Sequence, residues 1–233
     1  MFAVIFAVLP NDGRKDDYLE FAKHLKPILE RIDGFVDNER FESRLHPGWV
    51  LSHSTWRDEK SVVRWRTEGE HHVAQEKGRF EIFQDYHLQV GDVIFDTDPP
   101  KQAPILERRF DETEIGSAKI VTFTEITPVD GAAFADQANL LPAHLGLDPN
   151  DGAVTGHDVW ASIYKPGKMA LSVGWKDARA ADAWQPKKIG GIAELRHRKV
   201  RVVRDYGRFD RREAPQFYAD VRGRETKHPE PAH

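Results

Sequence analysis

Apolar residues occupy Met1 to Leu9 at almost every position, with Phe2, Val4, Phe6 and Val8 alternating against Ala3, Ile5 and Ala7. A strand apolar on both faces is covered on both faces. Pro10 to Gly13 makes a turn. Tyr18, Phe21, Leu25, Ile28 and Ile32 then recur at helical spacing, and Gly34 ends that helix. Phe35 to His46 and Trp49 to Trp56 read as a hairpin around Pro47-Gly48. Asp58 is placed to cap a second helix carrying Val62 and Trp65. Phe80, Ile82, Tyr86, Leu88 and Val90 alternate in a final strand. The predicted order is β-α-β-β-α-β, the ferredoxin-like split βαβ unit.

The same pattern is written a second time about 119 residues later. Pro47-Gly48, Trp56-Arg57-Asp58 and Trp65 match Pro166-Gly167, Trp175-Lys176-Asp177 and Trp184. Pro10 and Gly13 match Pro128 and Gly131, and Asp85-Tyr86 matches Asp205-Tyr206. A period this long is a duplicated small domain, not a solenoid repeat. The first unit is assigned to residues 1–95, a linker to 96–117, a diverged second unit to 118–207 and a charged, partly disordered tail to 208–233. The first helix of the second unit, around Phe134 to Leu141, is shortened by Pro142 and Gly146. A four-stranded sheet with helices on one side leaves its other face bare. The two units are therefore expected to pack sheet to sheet as an intrachain pseudo-dimer, an α+β fold. Whether that fused pair assembles further is left open by the residues.

Composition narrows the chemistry. The chain has no cysteine, which excludes disulfides, thiolate nucleophiles and thiolate metal sites. Its net charge of −4 gives no nucleic-acid footprint, and the basic run Arg196 to Arg212 is expected to be the solvated face of a strand. Met1 to Leu9 is too short to span a bilayer and lacks a signal-peptide pattern, so a cytoplasmic protein is the default expectation. No phosphate loop, Gly-x-Ser-x-Gly elbow or His-Glu-x-x-His motif is present, and no metal site is expected.

The segments Gly34 to Ser43, Leu51 to Arg66 and Gly69 to Val93 resemble the antibiotic biosynthesis monooxygenase domain family of the dimeric α+β barrel superfamily. Val173 to Trp184 keeps that likeness in the second copy, which lacks the Gly-Glu-His-His stretch. The resemblance implies a cavity between sheet and helices, used either for cofactor-independent oxygenation of polycyclic phenols or for oxidative haem cleavage. Trp56 and Trp175 match the strand-end Trp that lines the pocket of the anthrone-oxidising branch. That branch's upstream Asn is Ser52 in one copy and Leu171 in the other. Trp65 and Trp184 match the helix Trp of the haem-degrading branch. Its axial His is replaced by Gln75 and Glu194 and its first-strand Asn position is near Ala7, so His71 or His72 would have to substitute.

If the second helix ran on past Gly69, Trp65, Gly69, His72 and Glu76 would share one face and aim His72 into the cavity, with His71 turned away. His72 and Trp65 are accordingly the expected catalytic pair, and His72 the base that strips a proton from a phenol or activated C–H before electron transfer to O2. Trp56, His71, Gln75 and Tyr86 are the expected pocket residues, with Trp175, Trp184 and Tyr206 as second-copy equivalents. His53 faces either the pocket or the sheet interface. The expected function is cofactor-independent monooxygenation of a small aromatic or quinone-type substrate with O2. The alternative is binding of haem or another hydrophobic small molecule without turnover.

Overall fold

The computed structural model describes residues 1–130 and 138–215. Strand β1 (Phe2–Pro10) is followed by α1 (Lys15–Leu29), β2 (Phe35–Ser43), β3 (Val50–Trp56), α2 (Glu59–Arg66), α3 (Gly69–Lys77), a π-turn over Gly78–Ile82, and β4 (Phe83–Asp96). The second half contributes β5 (Ile120–Pro128), α4 (Leu141–His144), β6 (Val154–Ser162), β7 (Met169–Trp175), α5 (Ala178–Ala183) and β8 (Ile192–Gly207). The start of the helix expected at Phe134 to Leu141, and most of the tail, lie outside the described residues.

The two halves do more than face each other. Their eight strands close into one barrel in the order β1-β3-β2-β6-β7-β5-β8-β4. The halves join edge to edge, through a short β2–β6 pairing (Phe41↔Ser162 to Ser43↔Trp160) and a long β4–β8 pairing (His87↔Gly207 to Asp96↔Arg198). Closure leaves no exposed sheet edge to recruit another chain. Gly91 makes the long seam possible: a Cβ there would lie 2.1 Å from the Arg201 carbonyl oxygen.

The alternation in β1 sorts as its pattern requires. Ala3 and Ile5 enter the barrel with Leu51, Phe41, Phe123 and Val200. Phe2 and Val8 pack outward beneath the helices of the first half, with Leu29 and Trp56 beside Phe2 and Tyr18 beside Val8. Asp58 caps α2 as expected, its Oδ1 accepting from the Ser61 N–H (2.9 Å) and Oγ–H (2.8 Å). Gly34 closes the preceding loop at φ +88°, and a Cβ there would meet Ser61 Oγ at 2.0 Å. Asp177 repeats the cap in α5.

The basic strand is not a solvated face. Arg198 and Lys199 are 2% and 5% exposed. β8 pairs with a strand on each side, and its inward residues meet acidic partners inside the barrel. Glu125 accepts from Arg198 and pairs with Lys168 at 2.6 Å. Lys168 also reaches Glu39 at 2.6 Å, and Arg196 holds Asp96 at 2.7 Å. Burial opposes the charge on Glu125, but Arg198 and Lys168 outweigh it and hold the carboxyl below its usual range. Glu39 and Asp96 belong to the first half, and Glu125, Lys168, Arg196 and Arg198 to the second. The Lys168–Glu39 and Arg196–Asp96 pairs therefore tie the halves together, while Glu125 is held by cations of its own half. His53 lies in this interior, stacked on Phe123 at 4.5 Å, which settles its place at the interface between the sheets.

Candidate functional site

The outer face of the first-half sheet and helices α1 to α3 enclose a cavity of about 420 Å³. Val4, Phe6 and Leu88 form its floor, and Tyr18, Phe21 and Leu25 of α1 one wall. Trp65, His71, His72 and Gln75 come from α2 and α3, and Tyr86 from β4. Asn38, Arg40 and Ser52 add a polar strip, where Asn38 Nδ2 donates to Ser52 Oγ (2.9 Å) and Arg40 donates to Asn38 Oδ1 (2.9 Å). Large apolar walls with a few converging polar groups are the usual build of a small-molecule site.

The expected continuous helix is broken at Thr67-Glu68, and this changes which histidine meets Trp65. Thr67 closes α2, and Glu68 adopts an extended conformation and caps α3, accepting from the His71 N–H at 2.8 Å. The phase of the helix restarts at that point. His71, not His72, folds back on Trp65, its ring parallel to the indole at 3.9 Å and 13°. Its Nδ1 lies 2.7 Å from the Trp65 carbonyl oxygen, which can only accept, so Nδ1 carries the proton and Nε2 the lone pair. Burial pushes the imidazole down to about 4, against the opposing effects of the Trp65 carbonyl and Glu68. His71 is therefore neutral at pH 7. His72 is exposed at the rim, with Nε2 4.0 Å from Glu76.

Gln75 sits behind this pair, its side-chain amide 3.2 Å from His71 Nδ1 and 3.4 Å from the Arg66 carbonyl oxygen. Trp56 does not reach the cavity surface. It is fully buried, packs against Trp65 at 6.5 Å between ring centres, and donates Nε1–H to Ser54 Oγ at 2.9 Å. It supports the wall from behind because it points from the end of β3 into the layer under α2.

The second-copy equivalents divide. Trp175 is buried and donates to Thr122 Oγ1 (2.9 Å), and Trp184 packs on it at 5.7 Å and on His197 at 5.5 Å. Around them Leu141, Leu145 and Leu147 are packed against the sheet, each at most 6% exposed. Tyr206 behaves differently from the repeat's expectation. It enters the cavity of the first half, because the β4–β8 pairing sets it opposite Leu88 on the same face. Burial and the neighbouring Tyr86 raise its hydroxyl to about 12, so it stays protonated at neutral pH and can donate a hydrogen bond. Arg211, just past β8, also lines the cavity and donates to the Tyr86 hydroxyl at 2.5 Å. Neither contribution across the seam could be read from one repeat alone.

A second cavity, of about 450 Å³, opens at one mouth of the barrel between Leu51, Trp160 and the linker residues Ile115 to Ala118. Its polar groups are largely committed to one another, with Asp205 accepting from Gln89 Nε2 at 2.9 Å and bonded to His87 at 2.6 Å. No helix among the described residues is long and apolar enough to cross a membrane, and these residues hold no cluster of three or more metal-ligating side chains.

The architecture is an α+β barrel with a cavity under one set of helices. Residues 1–77 match the antibiotic biosynthesis monooxygenase family. The whole chain is similar to the jasmonate monooxygenase ABM of Pyricularia oryzae, 41% identical over 223 residues, covering 94% of this chain and 98% of that protein. The chain belongs to the antibiotic biosynthesis monooxygenase family. Among solved structures, an aldoxime dehydratase bound to butyraldoxime aligns with a TM-score of 0.54 at 10% identity, covering 88% of this chain and 81% of that one. Another aldoxime dehydratase gives 0.51 at 10% identity over 86% and 80%. These two are likenesses of fold.

Proposed function

We propose that the chain is an O2-dependent monooxygenase acting on a small ring compound held in the first-half cavity, with His71 in place of His72 as its base. The observation that carries the reading is the stacked Trp65–His71 pair on the wall of an apolar cavity, in a chain whose likeness to a jasmonate monooxygenase runs through both halves. A jasmonate-type cyclic ketone acid is the substrate class assigned first. The aromatic wall of Phe6, Phe21 and Trp65 favours an aromatic or quinone-type compound as the second.

Both classes carry a hydrogen made acidic by a carbonyl or a ring. His71 accepts that proton at Nε2 while Trp65 and the apolar floor hold the ring and exclude water. The product is an imidazolium beside an enolate or phenolate, and each charge offsets the weak basicity that burial imposes on the free imidazole. The anion passes one electron to O2, and the resulting radical pair combines. Where CH2 becomes C=O, the balance R2CH2 + O2 → R2CO + H2O closes without a reductant, and no cofactor is needed. Where C–H becomes C–OH, a donor must supply the rest: RH + O2 + 2e⁻ + 2H⁺ → ROH + H2O. Haem fits the donor set poorly, since His71 is committed through Nδ1 and its ring face to Trp65, and His72 stands out at the rim. No step is routed through it.

Incubation under ¹⁸O2 with jasmonic acid and with an anthrone, each with and without a reduced-flavin donor, tests this. One labelled oxygen atom per product is expected. Unlabelled substrate in all four mixtures sinks the reading.

A further inference from the structure

Resting on that reading, we propose that the cavity has a carboxylate end, formed across the β4–β8 seam by Arg66 of the first half with Arg211 and Tyr206 of the second. The cavity is apolar along most of its length, yet all three of these residues line it. Arg66 and Arg211 are half-buried, and among the described residues neither has a carboxylate within ion-pair distance. Their Nε atoms are buried without a hydrogen-bond partner. Inside the barrel, by contrast, Arg198 is answered by Glu125 and Arg196 by Asp96. A guanidinium removed from water and left unpaired is costly, and a ligand carboxylate is the group its planar fork fits.

The rest of the cluster suits an anion. Arg211 is positioned by its bond to the Tyr86 hydroxyl, which leaves its other N–H groups available. Tyr206 lines the same cavity as both arginines, and its hydroxyl, raised by burial and the neighbouring Tyr86, stays protonated as a hydrogen-bond donor. The occupant is thus an amphipathic organic acid, its ring against Trp65 and its carboxylate at the seam. The fused second copy would then serve as a specificity element of the first copy's site as well as its structural partner.

The test measures binding by quenching of tryptophan fluorescence. Two matched pairs are used on the full chain, jasmonic acid with its methyl ester and decanoate with decanol. Wild type is expected to favour the acid of each pair roughly 10–100-fold, the scale of charge-assisted hydrogen bonds. Arg66→Met with Arg211→Met should erase that preference by weakening the acid and leaving the neutral partner unchanged. Tyr206→Phe, a milder change that keeps the packing, should reduce it several-fold. Equal affinity of wild type for acid and neutral partner in both pairs, or a preference that survives in the double variant, overturns the carboxylate site. If decanoate shows the Arg-dependent preference and jasmonic acid is not oxygenated, the anion site stands and only the assigned substrate falls.

Discussion

The outer faces of the two halves carry matched tryptophans but are packed differently. Both keep a strand-end Trp packed on a second Trp, Trp56 on Trp65 of α2 at 6.5 Å and Trp175 on Trp184 just past α5 at 5.7 Å. Beyond that shared pair the first half adds α3, which buries no residue of its own and roofs a cavity. The second half runs extended after Trp184, with the Lys187 N–H donating to the Leu145 carbonyl at 3.0 Å, and packs Leu141, Leu145 and Leu147 against its sheet. The first half encloses a cavity under its helices, and the second packs closely against its sheet.

The sharpest way to break the comparison is at the histidine. His71→Ala should lower turnover about 10²–10⁴-fold, the usual worth of a general base, with little change in thermal stability. His72→Ala, at the exposed rim, should change it less than about threefold. Equal losses from both substitutions would restore the continuous-helix reading. Next come the second tryptophans of these pairs. Trp184→Ala should cost roughly 3 kcal/mol in chemical denaturation because it empties packed space. Trp65→Ala should cost less, since one side of Trp65 already faces the cavity, while removing most activity. If Trp65→Ala proves the more destabilising, the first half is the packed one.

Acid should act on both halves through three histidines. His53, His71 and His197 are all held neutral below the ordinary value, chiefly by burial, His71 and His197 at about 4. The unfolded chain takes up these protons below about pH 6.5 and the folded chain does not. Stability is thus fully present above that pH and declines as pH falls towards 4, by up to ~1.4 kcal/mol per pH unit for each group. Urea midpoints at pH 7.5, 5.5 and 4.5 measure the decline, and His197→Gln should flatten it. A flat profile in the wild type would mean that these rings are not desolvated.

The smallest effect sharpens what the halves still share. Asp58→Ala and Asp177→Ala each remove a helix cap, costing about 1 kcal/mol at Asp177. The cost should be somewhat more at Asp58, which also holds the Ser61 hydroxyl and Arg57. Identical denaturation shifts would show that only the cap hydrogen bond counts.

The duplicated Trp, Pro and Gly positions and the two-sided apolar β1 determined the repeat, the strand order and the need for each sheet to be covered. These are local rules of periodicity, turn and cap, and they hold wherever the segment sits. Of the residues expected at a pocket, Trp65, His71, His72, Gln75 and Tyr86 line the first-half cavity, and Trp56 lies behind its wall. Tertiary structure decided three things that local pattern does not contain. The break at Thr67-Glu68 reset the helix phase and set His71 rather than His72 against Trp65, and only the Glu68 cap, three residues before His71, hinted at it. The basic strand went inside, because β8 is paired on both sides and its inward charges meet carboxylates, Arg198 that of Glu125 in its own half and Arg196 that of Asp96 from the other. Tyr206 and Arg211 joined a site more than a hundred residues away in sequence, because strand register across the seam sets which side chains share a face, and register depends on both strands together.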